Sequence, residues 1–92
     1  MNLYAIMHTD IGENSDYEPT IVAVAQDYEH ACHVADLKHD ELKREFEENF
    51  PNRELDVEAN DGVIRAIDEN CCYGWILKVQ QIMMDVSFTV IA

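Results

Sequence analysis

The chain has 92 residues, and 19 Asp and Glu against 6 Lys and Arg give it a net charge of -13 at pH 7. That balance excludes direct binding to DNA, RNA or anionic membranes, because phosphate is held by Lys and Arg and repels a negative chain. Hydrophobic residues at 48% argue against disorder, and the length predicts a single domain over residues 1–92 with one modest core.

Residues 3–9 are apolar on both parities, with Leu3, Ala5 and Met7 on one side and Tyr4 and Ile6 on the other. Such a run predicts an interior strand covered on both faces. Residues 10–19 hold Gly12, Asn14, Ser15 and Pro19 and read as a loop. Residues 20–25 are rich in β-branched side chains and predict a second strand, antiparallel to the first.

Asp27 then marks a helix start, with Glu29 in the first turn at the positive end of the helix dipole. Ala31, Val34, Ala35, Leu42 and Phe46 share one face, and the helix should end near Asn49, just before Pro51. Leu55, Val57 and Ala59 alternate with Glu54, Asp56 and Glu58, the pattern of a half-buried strand with an acidic outer side. Asn60-Asp61-Gly62 is a hairpin turn signal that returns the chain through residues 63–67. A short helix beginning at Asp61 is the rival, disfavoured by Gly62 in its first turn. Residues 75–84 form a last apolar segment that continues to Ile91, as one long strand or two. The expected fold is α+β: an antiparallel sheet of about four to six strands with one long helix on a face.

The acid is unevenly spread. Residues 1–30 carry six acids and no base, residues 31–53 six acids and four bases, residues 54–69 six acids and Arg65, and residues 70–92 only Asp85 and Lys78. The complementary partner is a basic protein surface, and large basic surfaces are those that hold nucleic acid. The bland alternative is that acidity serves solubility.

The most suggestive set is Glu54, Asp56 and Glu58. Alternate residues on a strand stand about 6.7 Å apart, and phosphates two steps apart along one DNA strand advance about 6.8 Å. A carboxylate row at that repeat can occupy sites meant for phosphate, although any amphipathic strand also puts its charges outside. Asp10, Glu13, Asp16 and Glu18 in the acidic loop are the second candidate contact set. That loop lacks the third-position acid and sixth-position glycine of a calcium loop.

No catalytic residue emerges. Ser15 and Ser87 lie outside any nucleophile motif, and with only three glycines there is no phosphate-cradling loop. His30, Cys32, His33, Cys71 and Cys72 are zinc ligand types without zinc spacing, so neither a metal nor a cofactor is expected. Cys32 and one of the vicinal pair read as small core residues. The odd number of cysteines, the lack of a basic n-region in residues 1–7 and the absence of a membrane-length apolar run predict a cytoplasmic protein.

The strand Leu3-Tyr4-Ala5-Ile6-Met7, the acidic loop, the strand Ile21-Val22-Ala23-Val24-Ala25 running straight into a helix, and the closing Trp75-Ile76-Leu77-Lys78-Val79 form an outline. That outline resembles small acidic proteins of phages and mobile elements. Some of these are anti-CRISPR or anti-restriction inhibitors that act as nucleic-acid mimics. The resemblance implies a non-enzymatic inhibitor docking on the basic surface of a nucleic-acid-binding protein or CRISPR effector, and it transfers no contact residue. The alternative expectation is a small intracellular interaction or assembly module, such as a homo-dimer. A metal-dependent enzyme or sensor built on the His and Cys is a third.

Overall fold

The computed structural model describes residues 2–12, 18–68 and 73–83. The chain runs β1 (Asn2–Gly12), β2 (Thr20–Ala25), α1 (Tyr28–Asn49), β3 (Leu55–Asn60), β4 (Val63–Asp68) and β5 (Tyr73–Met83). The five strands form one sheet in the order β2-β1-β5-β4-β3, and every neighbouring pair is antiparallel. With α1 packed on one face, this is the α+β fold expected from the sequence.

Local chemistry sets the element boundaries. The Asp27 carboxylate accepts the His30 N–H at 2.7 Å and caps the helix. At its other end the Phe50 N–H donates to the Phe46 carbonyl at 2.8 Å, before Pro51 stops the helix. Asp61 and Gly62 form the two-residue β3–β4 turn with φ of 48° and 78°. Two successive positive φ values give the tight hairpin twist that asparagine, aspartate and glycine tolerate. A Cβ at Gly62 would also sit 2.7 Å from the Tyr28 hydroxyl oxygen, a contact that the exposed tyrosine side chain can relieve by moving, so the positive φ is what calls for glycine.

One sequence expectation needs correction. β1 does not stop at Thr9: it pairs with β5 as far as Gly12 opposite Tyr73, so Asp10 lies on a strand rather than in the loop. The long partner strand β5 supplies hydrogen bonds that local turn propensity could not anticipate. β1 is interior, between β2 and β5, and both of its parities are buried at the centre of the strand, as expected: Ala5 and Ile6 are each 0% exposed. The last segment is a single strand from Tyr73 to Met83, and its expected continuation beyond residue 83 lies outside the described residues.

The core lies between α1 and the centre of the sheet. Ile6 on β1, Ala25 on β2, Ile64 and Ala66 on β4, and Trp75 and Leu77 on β5 meet Ala31, Ala35 and Phe46 of the helix. Ile6 and Leu77 are fully buried, and each such side chain contributes about 1.5–3 kcal/mol. Alanines on both sides let the N-terminal half of the helix approach closely. At its C-terminal half, Phe46 packs edge-on against Trp75 with ring centres 6.5 Å apart.

Trp75 also ties the helix down through a polar contact. Its indole N–H donates to His39 Nδ1 at 3.1 Å. That bond requires an unprotonated Nδ1, hence a neutral ring with its proton on Nε2. Burial lowers the His39 pKa from 6.5; Lys43 acts in the same direction, and Asp40 and Asp36 oppose it. Folding therefore favours the neutral ring. This contribution is complete above the unfolded value of 6.5 and is lost as pH falls from there through the lower folded value. Thermal melts should accordingly show the melting temperature falling as pH drops below 6.5. His39→Gln, which keeps an acceptor but does not titrate, should flatten that slope. An equal slope in the variant would assign the pH dependence to other groups.

Candidate functional site

The exposed acids gather on three surfaces. The first is β3, which among the described residues is an edge strand with only β4 beside it. In its ladder Leu55, Val57 and Ala59 stand opposite Asp68, Ala66 and Ile64, so they share the helix side of the sheet. Asp56 and Glu58 therefore point to the opposite side, and both are exposed. Glu54 is exposed too, but the strand begins one residue later, at Leu55. Only two of the three carboxylates thus stand on the regular strand repeat. Glu58 also faces Arg65 across the ladder, a cross-strand opposite-charge position worth about 0.2–1 kcal/mol.

The second surface is the expected acidic loop. Asp10 ends up on β1 with its side chain 73% exposed, and its Oδ1 lies 3.0 Å from His8 Nε2, not aligned as a hydrogen bond. Glu18 is exposed just ahead of β2. Glu13 and Asp16 lie outside the described residues.

The third surface, not singled out from the sequence, is α1. Asp36, Asp40, Glu41, Glu45, Glu47 and Glu48 are all exposed on it, beside the exposed bases Lys43 and Arg44. The last turn holds no base. Carboxylates beside the negative end of the helix dipole cost about 0.3–1 kcal/mol each, so the acidity there is not a stability feature.

Between the first half of α1 and the β3–β4 turn lies a groove of about 220 Å³. Cys32, Ala35 and Asp36 line it from the helix, Ala59 and Asp61 from the hairpin, and Val79 forms part of its floor. It exists because the helix packs over β1, β2 and β5 and does not extend across β3. The same gap leaves Val57 41% exposed although it is on the inner side of its strand. The expectation that this strand is half-buried is thus met only at Leu55, which packs on the core. At the groove's helix side the Tyr28 pKa is raised, first by its hydrogen bond with the Cys32 thiol, then by burial and by the charges of Cys32 and Asp61.

The Asp36 and Asp61 pair was visible in the sequence only as a helix-surface residue and a turn residue. Their convergence is tertiary, and no spacing rule points to it.

No group of three His, Cys, Asp or Glu capable of holding a metal occurs among the described residues. His30 and His33 are exposed on α1, and Cys32 is a free, half-buried thiol. Cys71 and Cys72 lie outside the described residues. The groove is smaller than the roughly 300–1,000 Å³ typical of small-molecule sites, and it suits one inserted side chain. No helix among the described residues is long and apolar enough to cross a membrane.

One buried charge anchors the lower end of the domain. Asp68 is fully buried, and Arg53 Nη1 donates to its Oδ2 at 3.0 Å. The guanidinium lies 4.8 Å from the centre of the Phe50 ring, which stacks on Tyr73. Arg53→Met should destabilise the fold by about 2 kcal/mol, below the value for a fully buried pair because the Arg53 side chain is 35% exposed. A chemical denaturation midpoint unchanged by this substitution would show that other groups carry the Asp68 charge.

No family model, no curated protein and no solved structure matches this chain.

Proposed function

We propose that this protein is a non-enzymatic inhibitor that docks its acidic surface on the basic, nucleic-acid-binding surface of a host defence protein, such as a CRISPR effector or restriction nuclease. The observation that carries the reading is the exposure of Asp56 and Glu58 on β3, an edge strand among the described residues, with Glu54 exposed just ahead of it. Carboxylates spaced along a strand can take the place of successive phosphates on a Lys- and Arg-lined track. The exposed acids of α1 extend that negative field over a second side of the molecule and steer encounter with a basic partner. Glu47 and Glu48 stand at the negative end of the helix dipole, a placement that adds charge without adding stability.

Purified protein added to purified RNA-guided effectors and restriction nucleases should abolish target DNA binding in a gel-shift assay. The effect should weaken steeply with added salt, since exposed charges are screened over about 8 Å at physiological ionic strength. Reversing Glu54, Asp56 and Glu58 to Lys should weaken inhibition by about 100-fold, a loss typical of several charge contacts. Reversing Glu47 and Glu48 to Lys should do less. Inhibition insensitive to salt, or unaffected by the strand reversal, would remove the phosphate-row reading.

A second reading, a homo-dimeric interaction module, is favoured by the helix-free side of the sheet. Leu3, Met7, Ile11, Ile67, Ile76 and Ile82 are on that side, with Ile21 at 53% and Val24 at 50% exposure on the outer strand. Its charges are balanced: Arg65 and Lys78 against Asp56 and Glu58. Two copies can meet there without the repulsion that a charge of -13 imposes elsewhere. Five strands about 4.8 Å apart offer roughly 600 Å² of flat area, close to the roughly 800 Å² per partner of a stable interface. Sedimentation equilibrium should then give twice the 10.6 kDa chain mass. Ile76→Glu should return the protein to a monomer with unchanged far-UV circular dichroism. A full chain that is monomeric at all accessible concentrations would exclude this reading.

A further inference from the structure

The groove and the sheet edge beside it form one continuous feature. Among the described residues β3 has a neighbour on one side only, and an edge strand of this kind presents a row of N–H and C=O groups for pairing. On the helix side of that edge, Val57 is 41% exposed and Ala59 is exposed, so two inward-facing positions lack cover. Ala59 lines the groove, together with Ala35 on the helix, Val79 on the floor, and Asp36 and Asp61 as carboxylates. On the other side of the same strand are Asp56 and Glu58.

We propose that this edge captures an extended basic peptide segment of a partner protein by strand addition, with one Lys or Arg side chain laid into the groove between Asp36 and Asp61. The inference rests on the reading of the partner as basic and states how that partner is held. An added strand would run about 4.8 Å beyond β3. Only a long side chain reaches back over β3 into the groove. Lys and Arg combine that reach with an apolar stem that covers Val57 and Ala59 and a cation that meets the two carboxylates. Side chains of the opposite parity would lie beside Asp56 and Glu58, which again select bases. Main-chain hydrogen bonds supply affinity in such complexes, and side-chain pockets supply specificity. Charge repulsion excludes an acidic segment and disfavours edge pairing between two copies of this chain.

The probe is a synthetic peptide of nine residues alternating Lys and Val, with a Glu and Val peptide of equal length as control. Titrated into the 15N-labelled full chain, the Lys peptide should shift the amides of Leu55–Asn60 and the groove residues, and the Glu peptide should not. Ala59→Trp fills the groove from an exposed position and should weaken peptide binding at least tenfold. The double change Asp36→Asn and Asp61→Asn keeps shape and removes charge, and it should do the same. Both variants should keep the native amide spectrum elsewhere. Equal binding of the two peptides, shifts confined to α1 or β2, undiminished binding by Ala59→Trp, or no binding at millimolar peptide would each overturn strand addition at β3. If Ala59→Trp binds no peptide yet still displaces DNA from an effector, the acidic docking reading stands and its route through this edge falls. If the Lys peptide binds as stated while no effector is inhibited, the strand-addition site stands without that reading.

Discussion

One helix cannot cover a five-stranded sheet, and most of this protein follows from that mismatch. A helix with its side chains is about 10 Å across, while five strands at 4.8 Å spacing span roughly 24 Å. The 22-residue α1 is the one helix among the described residues, and it packs on the middle and one side of a single face. The core is therefore narrow and is drawn mainly from β1, β5 and β4. What the helix does not reach includes the inner side of β3, where Val57 is 41% exposed, and the groove beside it.

The narrow core explains why polar contacts matter in it. Small residues, Ala25, Ala31, Ala35 and Ala66, bring helix and sheet close but bury little apolar area. Trp75 supplies bulk, and its hydrogen bond to His39 fixes where the helix lies along the sheet. At the other end, the Arg53–Asp68 pair secures the connection between α1 and β3 to the end of β4. Such a pair adds little stability against an apolar replacement but makes a misplaced connection costly, since a buried carboxylate would lose its cation.

The molecule separates its two kinds of surface. Acids occupy the outer side of α1 and the segments flanking the strands, whereas the helix-free side of the sheet is largely apolar and carries two of the six bases, Arg65 and Lys78. The two surfaces meet at β3, whose Asp56 and Glu58 rim the apolar side and whose Ala59 borders the groove.

The sequence alone determined those features whose causes are local. The Asp27 cap, the helix face of Ala31, Ala35 and Phe46, the Asp61-Gly62 turn and the β-branched β2 each follow from a few neighbouring residues, because caps, helical periodicity and tight turns are short-range physics. The alternation that sends Asp56 and Glu58 away from Leu55 and Val57 was legible for the same reason. What the tertiary structure decided was every feature that depends on which strand lies beside which. The placing of β5 between β1 and β4 extended β1 through Asp10 and made β3 an edge. It also put Arg65 across from Glu58, left Glu54 just off the strand, and brought Asp36 to Asp61 around a groove. Strand order is settled by long-range pairing and by how far one helix can reach, and neither quantity is written in any window of neighbouring residues.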